Sequence, residues 1–530
     1  MRILVTLLVA IALYALVAIR LEPPEPRKER GPGSTFCAQR AYEILESLLA
    51  DELPHSMASP ANAAVRGRLL EQLEGSGYEP KIQSAFAYAD RRGQLKVHNV
   101  IATLPGSSPD GTILLNAHYD SVPSGPGASD DGVAVAALLE VARIARASPR
   151  LRNTVVFLFD DGEEMGLCGA KAFCREHPLR DAVDLVINFE ARGTSGSSLM
   201  FETSGEDAWL VNAFARACSR PVTGSVFTTI YEALPNDTNL TAYKKAGIPG
   251  LNFAFIGDPQ NYHTTNDDLA HVTLGSVQHH GDNALELVRS LGDADLELQR
   301  ATSRGDAVFF DVLCAFVVWW PAHLSQPIAL ALLVMTVLFA LKAARKAGWR
   351  SLFRASTCFV GGVAFPPALC FGGAFILTQM GVIDRNLVGQ TTGYSAVYWV
   401  LSLVGLWLAT RFSKVQVDAW SLWTVSWLTY GVLALAASSL AVGTSYLFIA
   451  PLLIAVLSAF RDAVSGRQPG FGMTILPVIA AGIVWFPLHQ LVPVALGVRQ
   501  GWIIGACNAL FLITALTATA NIAPTTLKRR

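Results

Sequence analysis

The chain has 530 residues, 52% of them apolar, and a positive mean hydropathy, which is too long for one domain and too apolar for a wholly soluble protein. Its net charge of -1, with no basic cluster outside the apolar part, argues against a polyanion-binding surface, and no nucleic-acid partner is expected. The apolar excess is gathered from about Phe309 onward, whereas residues 22–304 have the mixed composition of a globular domain.

Taken in order, residues 1–20 read as an N-terminal transmembrane anchor, uncleaved because no small-x-small site precedes Arg20. Residues 21–34, rich in proline and charge, read as a linker. A globular domain is expected over 35–300 and a multispan transmembrane domain over 301–530. Helical patterns at 38–51 and 61–74 precede strand-like runs at 98–104, 112–117, 154–159, 185–189 and 250–255, with a helix at 132–147. Strands alternating with helices predict an α/β three-layer sandwich with a mostly parallel central sheet. The eight cysteines show no CxxC or zinc-finger spacing.

Apolar candidates in the last part lie at 307–320, 327–342, 356–379, 393–410, 420–441, 445–460, 472–490 and 502–521. The first is short and holds Asp311, so a re-entrant or interfacial helix is an alternative to a span. Basic clusters fall at Lys342, Arg345, Lys346, Arg350 and Arg354, at Arg411 and Lys414, at Arg461 and Arg467, and at residues 528–530. With the globular domain outside and 307–320 not crossing, all four are cytoplasmic; with it crossing, all four fall outside. The charge rule therefore favours eight spans including the first. Asp311 and His489 read as helix-end or packed polar residues.

The chemistry gathers at strand ends. The run Asn116-Ala-His118-Tyr-Asp120 closes one strand and leads to Ser129-Asp130-Asp131-Gly132 at a helix start. A second strand runs into Asp160-Asp161-Gly162-Glu163-Glu164, a third ends at Glu190-Ala-Arg192, and a fourth leads to Tyr262-His263 and Asp267-Asp268. An acidic turn before a helix explains one such group by capping alone. Four strand ends delivering acids or histidines to one sheet edge, where open α/β sheets bind ligands, point to a hydrolytic metal site. Histidines and carboxylates without cysteine suit zinc, and a carboxylate between two metals is a common bridge. One of Asp130 and Asp131 would bridge, and one of Glu163 and Glu164 would face the metal. Asp120 is spaced to hold the far ring nitrogen of His118. His98, His177, His271, His279 and His280 read as ordinary surface or strand-end residues.

The ordered motifs His118-Tyr-Asp120, Gly127-Ala-Ser-Asp130-Asp131-Gly132, Glu163-Glu164-Met-Gly-Leu, Asn188-Phe-Glu190 and Tyr262-His263-Thr resemble the co-catalytic zinc exopeptidase family of leucyl-type aminopeptidases and glutamate carboxypeptidases. The anchored domain with a multispan tail further resembles its endoplasmic-reticulum metallopeptidase and vacuolar membrane protease branch. The resemblance implies two zinc ions per chain, with Asp130 as the bridge. His118 and Glu190 would complete one site, and Glu164 and His263 the other. It implies Glu163 as general base and Tyr262 as a donor to the oxyanion. Many family members carry Asp where Glu190 stands; the longer arm still reaches a metal.

Arg192 and the loop 234–239, with Asn236 and Asp237, are candidates for the substrate pocket, Arg192 being equally suited to a structural ion pair. The expectation is a membrane-anchored exopeptidase acting on peptides, its catalytic domain facing the periplasm or a lumen, with peptide and membrane lipid as partners. The alternatives are a glutaminyl-cyclase-like acyltransferase and a non-catalytic receptor or scaffold on a peptidase fold.

Overall fold

The computed structural model describes all residues except Met1, 28–32, 90–92, 109–110, 384–391, 413–417, 466, 468–469 and 520–530. Residues 28–32 of the expected linker, Lys414 and the basic residues 528–530 therefore lie outside the described residues. The chain divides into two compact units, Leu21–Pro321 and a second made of Met1–Arg20 with Ala322–Arg530.

After helix α1 (Arg2–Leu21), the first unit runs α2 (Ala38–Leu49), α3 (Pro60–Gly75), β1 (Lys81–Ala89), β2 (Gly93–Leu104), β3 (Thr112–His118), α4 (Ala134–Ala147), β4 (Thr154–Asp160) and α5 (Cys168–Glu176). It continues with β5 (Leu185–Ala191), β6 (Leu199–Thr203), α6 (Ala208–Ala217), α7 (Ser225–Glu232), α8 (Asn239–Lys245), β7 (Gly250–Phe255), α9 (Leu274–Gly292), α10 (Leu296–Thr302), β8 (Ala307–Val312) and β9 (Phe316–Pro321). The seven-stranded sheet has the order β1-β2-β4-β3-β5-β7-β6. Its four central strands β4, β3, β5 and β7 are parallel, β2 and β6 flank them antiparallel, and β1 pairs antiparallel with β2.

Strands β3, β5 and β7 are buried along their whole length, which is why they read as continuous apolar runs. Alternate residues serve opposite layers. Ile113, Leu115 and Ala117 pack with Leu45, Leu138, Phe214 and Leu287 of α2, α4, α6 and α9. Leu114, Val156 and Val186 pack with Phe173 of α5 and Leu240 and Tyr243 of α8. This is the expected three-layer sandwich. At Gly281 an added Cβ would lie 2.0 Å from the Phe36 ring, so α9 can press against that ring only with glycine there.

Two expectations are corrected. His279 and His280 are not surface residues: they lie in α9, buried. Ser198 N–H donates to His279 Nδ1 at 3.1 Å and His279 Nε2 reaches the Arg220 carbonyl at 2.9 Å, while His280 bridges the Ser198 hydroxyl and the Glu190 carbonyl. Burial pushes His279 down to about 4, so it is neutral in the fold and gains a proton on unfolding below its ordinary value. Its contribution to stability is full above about pH 6.5 and is lost as pH falls from there to about 4. In thermal or chemical unfolding, the stability advantage of wild type over His279→Gln is expected to shrink across that window, by up to about 3 kcal/mol.

The second correction concerns residues 307–320. They form the antiparallel β8–β9 hairpin, pairing Ala307 with Pro321 through Val312 with Phe316, so this segment is neither a span nor an interfacial helix, and it lies in the compact unit Leu21–Pro321. Alternating large apolar residues on both faces gave it the hydropathy of a membrane segment. Asp311 is the packed polar residue of the hairpin, accepting from the backbone N–H groups of Thr223 and Cys314.

The second unit adds α11 (Ser325–Ala347), α12 (Trp349–Gln379), α13 (Thr392–Phe412), α14 (Ala419–Leu440), α15 (Tyr446–Ser465), α16 (Phe471–Leu496) and α17 (Gly501–Thr514). Among the described residues, six helical segments are long and apolar enough to cross a membrane: Arg2–Leu21, Ala322–Lys342, Arg350–Gln379, Ala419–Leu440, Tyr446–Ser465 and Phe471–Leu496. Helix α1 belongs to this unit, with the Tyr14 hydroxyl 3.2 Å from His489 Nδ1 and its ring edge-on to Trp399 and Phe486.

Candidate metal centre

The parallel register places His118 beside Asp160 at the carboxyl ends of β3 and β4. Glu190 closes β5 beside Ala254 of β7. One sheet edge thus receives His118, the turn bearing Asp130 and Asp131, the loop bearing Glu163 and Glu164, Glu190, and the Tyr262-His263 turn after β7. The Asp130 turn depends on Gly127, whose φ is +64° and where a Cβ would sit 2.6 Å from the Asp130 carbonyl oxygen; glycine alone fits such a close, left-handed turn. The Asp130–Asp131 peptide bond is cis.

Three sets of potential ligand atoms converge, each within 4.8 Å of one another: His118, Asp130 and Glu190; Asp130, Glu164 and His263; and His118, Glu163 and Glu164. His118 Nε2 lies 3.3 Å from Asp130 Oδ1 and 3.7 Å from Glu190 Oε2. His263 Nε2 lies 3.1 Å from Asp130 Oδ2 and 3.0 Å from Glu164 Oε1. The two oxygens of Asp130 thus face different histidines. Asp131 is in none of these sets; its Oδ2 accepts the His118 backbone N–H. Asp120 accepts the Glu163 backbone N–H on Oδ1, the same oxygen lies 3.4 Å from His118 Nδ1, and the Asp120 main-chain carbonyl lies 3.0 Å from that nitrogen.

The electrostatics ask for a cation. Burial and the charge of Glu190 raise Glu163 well above the usual carboxylate range, and burial with the charge of Asp130 pushes Glu164 up to about 7. Burial opposes the charge of His263, but Asp130 and Glu164 outweigh it and hold the imidazole up to about 10; His118 is raised likewise by Asp120, Asp130 and Glu190. Asp130, although burial raises it, is held below the usual range by both imidazoles. Acids kept protonated and imidazoles kept charged are what a metal would reverse. His263 Nε2 and Glu164 Oε1 approach to 3.0 Å yet, among the described residues, form no hydrogen bond with each other or with another group. Two imidazole nitrogens and four carboxylates without a cysteine fit zinc.

Several supporting residues were given no role of their own in the sequence reading. Asp267 accepts the backbone N–H groups of Ser129 and Asp130 on its two oxygens, fixing the Asp130 turn. Asp161 takes the Asn62 amide and the His98 backbone N–H. His55 is buried, and its backbone exchanges hydrogen bonds with Ser121 next to Asp120.

Beneath the site a row of buried amides crosses the parallel strands. The Tyr243 hydroxyl donates to Asn116, Asn116 to Asn188 at 2.9 Å, Asn188 to Asn252 at 3.0 Å, and Asn252 to Glu202 at 2.9 Å, which takes Lys244 on its other oxygen. A carboxylate only accepts, so Glu202 fixes the orientation of every amide in the row. Asn188 also donates to Glu190 Oε1 at 3.2 Å. The sequence signal was one asparagine in each of three apolar strands, a residue that buries only when its hydrogen bonds are met. Asn188→Leu is expected to lower zinc affinity about 10–100-fold in chelator competition, because the Glu190 carboxylate loses its orienting donor.

The remaining expected residues fall outside the cluster or at its margin. The Tyr262 ring stacks on His263 with centroids 3.7 Å apart, and burial together with Asp130 and Glu164 raises its phenol. Arg192 is half-buried two residues beyond Glu190 and makes no ion pair or side-chain hydrogen bond among the described residues. Asn236 and Asp237 are exposed. The loop instead reaches inward through Thr238, which accepts from Asn252, and Asn239, which donates to Asp160. Burial and the charges of Glu202, Glu190 and Glu163 raise the Tyr231 phenol, whose ring packs edge-on to Phe201.

Residues 99–288 match the model of Peptidase family M28, the zinc exopeptidase family that the five motifs resemble. Endoplasmic reticulum metallopeptidase 1 of Mus musculus is 32% identical over 356 residues, covering 62% of this chain and 39% of that protein. The vacuolar membrane protease of Candida albicans (strain WO-1) is 34% identical over 266 residues, covering 48% of this chain and 31% of that protein. The chain thus spans about two fifths or less of the length of these relatives. Among solved structures, Porphyromonas gingivalis glutaminyl cyclase aligns with a TM-score of 0.42 at 19% identity, covering 49% of this chain and 99% of that one.

Proposed function

We propose that this chain is a membrane-anchored, zinc-dependent exopeptidase of aminopeptidase type. The observation that carries the reading is the pair of donor sets that share Asp130, each completed by one histidine and one glutamate. His118, Asp130 and Glu190 would hold one zinc, and Asp130, Glu164 and His263 a second. When bound, the zinc pair would polarise the scissile carbonyl and acidify a water. Glu163, whose backbone is pinned by Asp120, takes the proton of the attacking water and passes it to the leaving amine. Tyr262 donates to the oxygen that gains charge. Arg192, with no carboxylate paired to it among the described residues, is available to a charged group of the peptide.

The catalytic unit is proposed to face the periplasm or a lumen. With 307–320 folded as a hairpin, α11 is the next helix able to cross. If the seven helices α11 to α17 cross in turn, the helix ends and connections bearing Lys342 to Arg354, Arg411, Arg461 and Arg467 all fall on the opposite side from the catalytic unit, as the positive-inside rule requires.

The test is zinc stoichiometry of the purified full chain together with a panel of aminoacyl, N-blocked dipeptide and N-terminal glutaminyl substrates. Near two zinc per chain with cleavage of free-amino substrates is expected. Cleavage of N-blocked dipeptides alone would make it a carboxypeptidase, while cyclisation with one zinc, or metal without turnover, would overturn the hydrolase.

A further inference from the structure

In an antiparallel pair, residues directly opposite one another point to the same face. One face of the β8–β9 hairpin carries Ala307, Phe309, Asp311, Val317 and Trp319. Ala307 and Phe309 belong to the core of the first unit, and Val317 and Trp319 pack against it. The other face carries Val308, Phe310, Val312, Phe316, Val318 and Trp320. Val308 and Phe310 are buried, Val312, Val318 and Trp320 are half-buried, and Phe316 is 53% exposed. A hairpin with one face in water turns polar side chains outward; none of these six is polar.

The chain on either side says what covers this face. Leu21 ends the candidate span Arg2–Leu21, and Ala322, which follows Pro321, begins the candidate span Ala322–Lys342. Leu21 packs against the cluster of Leu199, Val222 and Cys314, and its carbonyl accepts from Ser197. Cys314 sits in the turn between β8 and β9, so β9 starts beside one crossing point and ends at the other. Six extended residues cover roughly 20 Å. A folded unit meets the bilayer at both its ends from the same side, so both points lie at the membrane surface, and the strand joining them runs along it.

We propose that the outward face of this hairpin, led by Phe316, Val318 and Trp320, seats in the boundary between lipid headgroups and acyl chains and holds the peptidase unit against the membrane. Tryptophan and phenylalanine suit that layer, where an apolar body meets a wet rim. The proposal rests on reading the two flanking segments as spans.

The test is photolabelling of the full chain in phosphatidylcholine vesicles containing a phosphatidylcholine with a diazirine near the headgroup end of its acyl chain, followed by peptide mapping. Lipid adducts are expected on residues 316–320 as well as on the spans. Strand β1, at an edge of the seven-stranded sheet to which the hairpin does not belong, exposes Phe86 at 59% and Tyr88 at 79%, and it should carry none. Adducts on the spans but not on 316–320, or equal yield on β1, would overturn the proposal. Adducts on neither the spans nor the hairpin would instead remove the membrane reading on which it stands.

Discussion

Glu163→Gln is expected to reduce peptide hydrolysis on the order of 10³–10⁴-fold while zinc content stays near two per chain. That is about 4–5.5 kcal/mol of transition-state stabilisation, the size expected when the group that moves the proton is replaced by an amide of the same shape. The paired readout matters because Glu163 and Glu164 both come within ligand range of His118. If Glu163 were a ligand, its substitution would release metal and activity together; if it is the base, activity falls and metal stays. The variant should also fold at least as firmly in the absence of metal. Burial and the charge of Glu190 disfavour the ionised Glu163 side chain, and a neutral amide removes that conflict. Loss of zinc, or a fall below tenfold, would take the role of base away from this residue.

The edge that carries the candidate site was legible because its residues are polar where apolar strands end. His118, Glu190 and the Glu163-Glu164 pair each follow a run of buried residues, and that contrast survives without any knowledge of contacts. What supports them was harder to read. Asn116, Asn188 and Asn252 stand inside apolar strands, and their meaning appears only when the strand order brings them side by side. His279 and His280 sit on a helix whose exposed face could not be separated from its buried one by sequence spacing. Asp267 lies in an acidic loop where any carboxylate reads as solvated, yet both its oxygens are spent on the Asp130 turn. The hairpin at 307–321 was misread because mean hydropathy reports how apolar a segment is, not its period. Large side chains alternating on two buried or lipid-facing surfaces leave no polar phase to find.

Asp130→Asn is expected to empty both metal positions, whereas Glu190→Gln and His263→Gln should each empty one. The asymmetry follows from geometry: Asp130 Oδ1 faces His118 and Oδ2 faces His263, while Glu190 and His263 each occur in a single donor set. Zinc per chain should therefore fall from about two to near zero in the first variant and to about one in the others. Thermal unfolding gives an independent readout. A ligand held at 1,000 times its Kd stabilises the fold by about 4 kcal/mol, and for a domain of this size each kcal/mol moves the Tm by about 2–4 °C. Added zinc should thus raise the Tm of wild type by roughly 10 °C and leave Asp130→Asn almost unmoved. If Asp130→Asn still held one zinc, or if Glu190→Gln lost both, the shared carboxylate would not be the bridge, and the two-metal reading would fail with it.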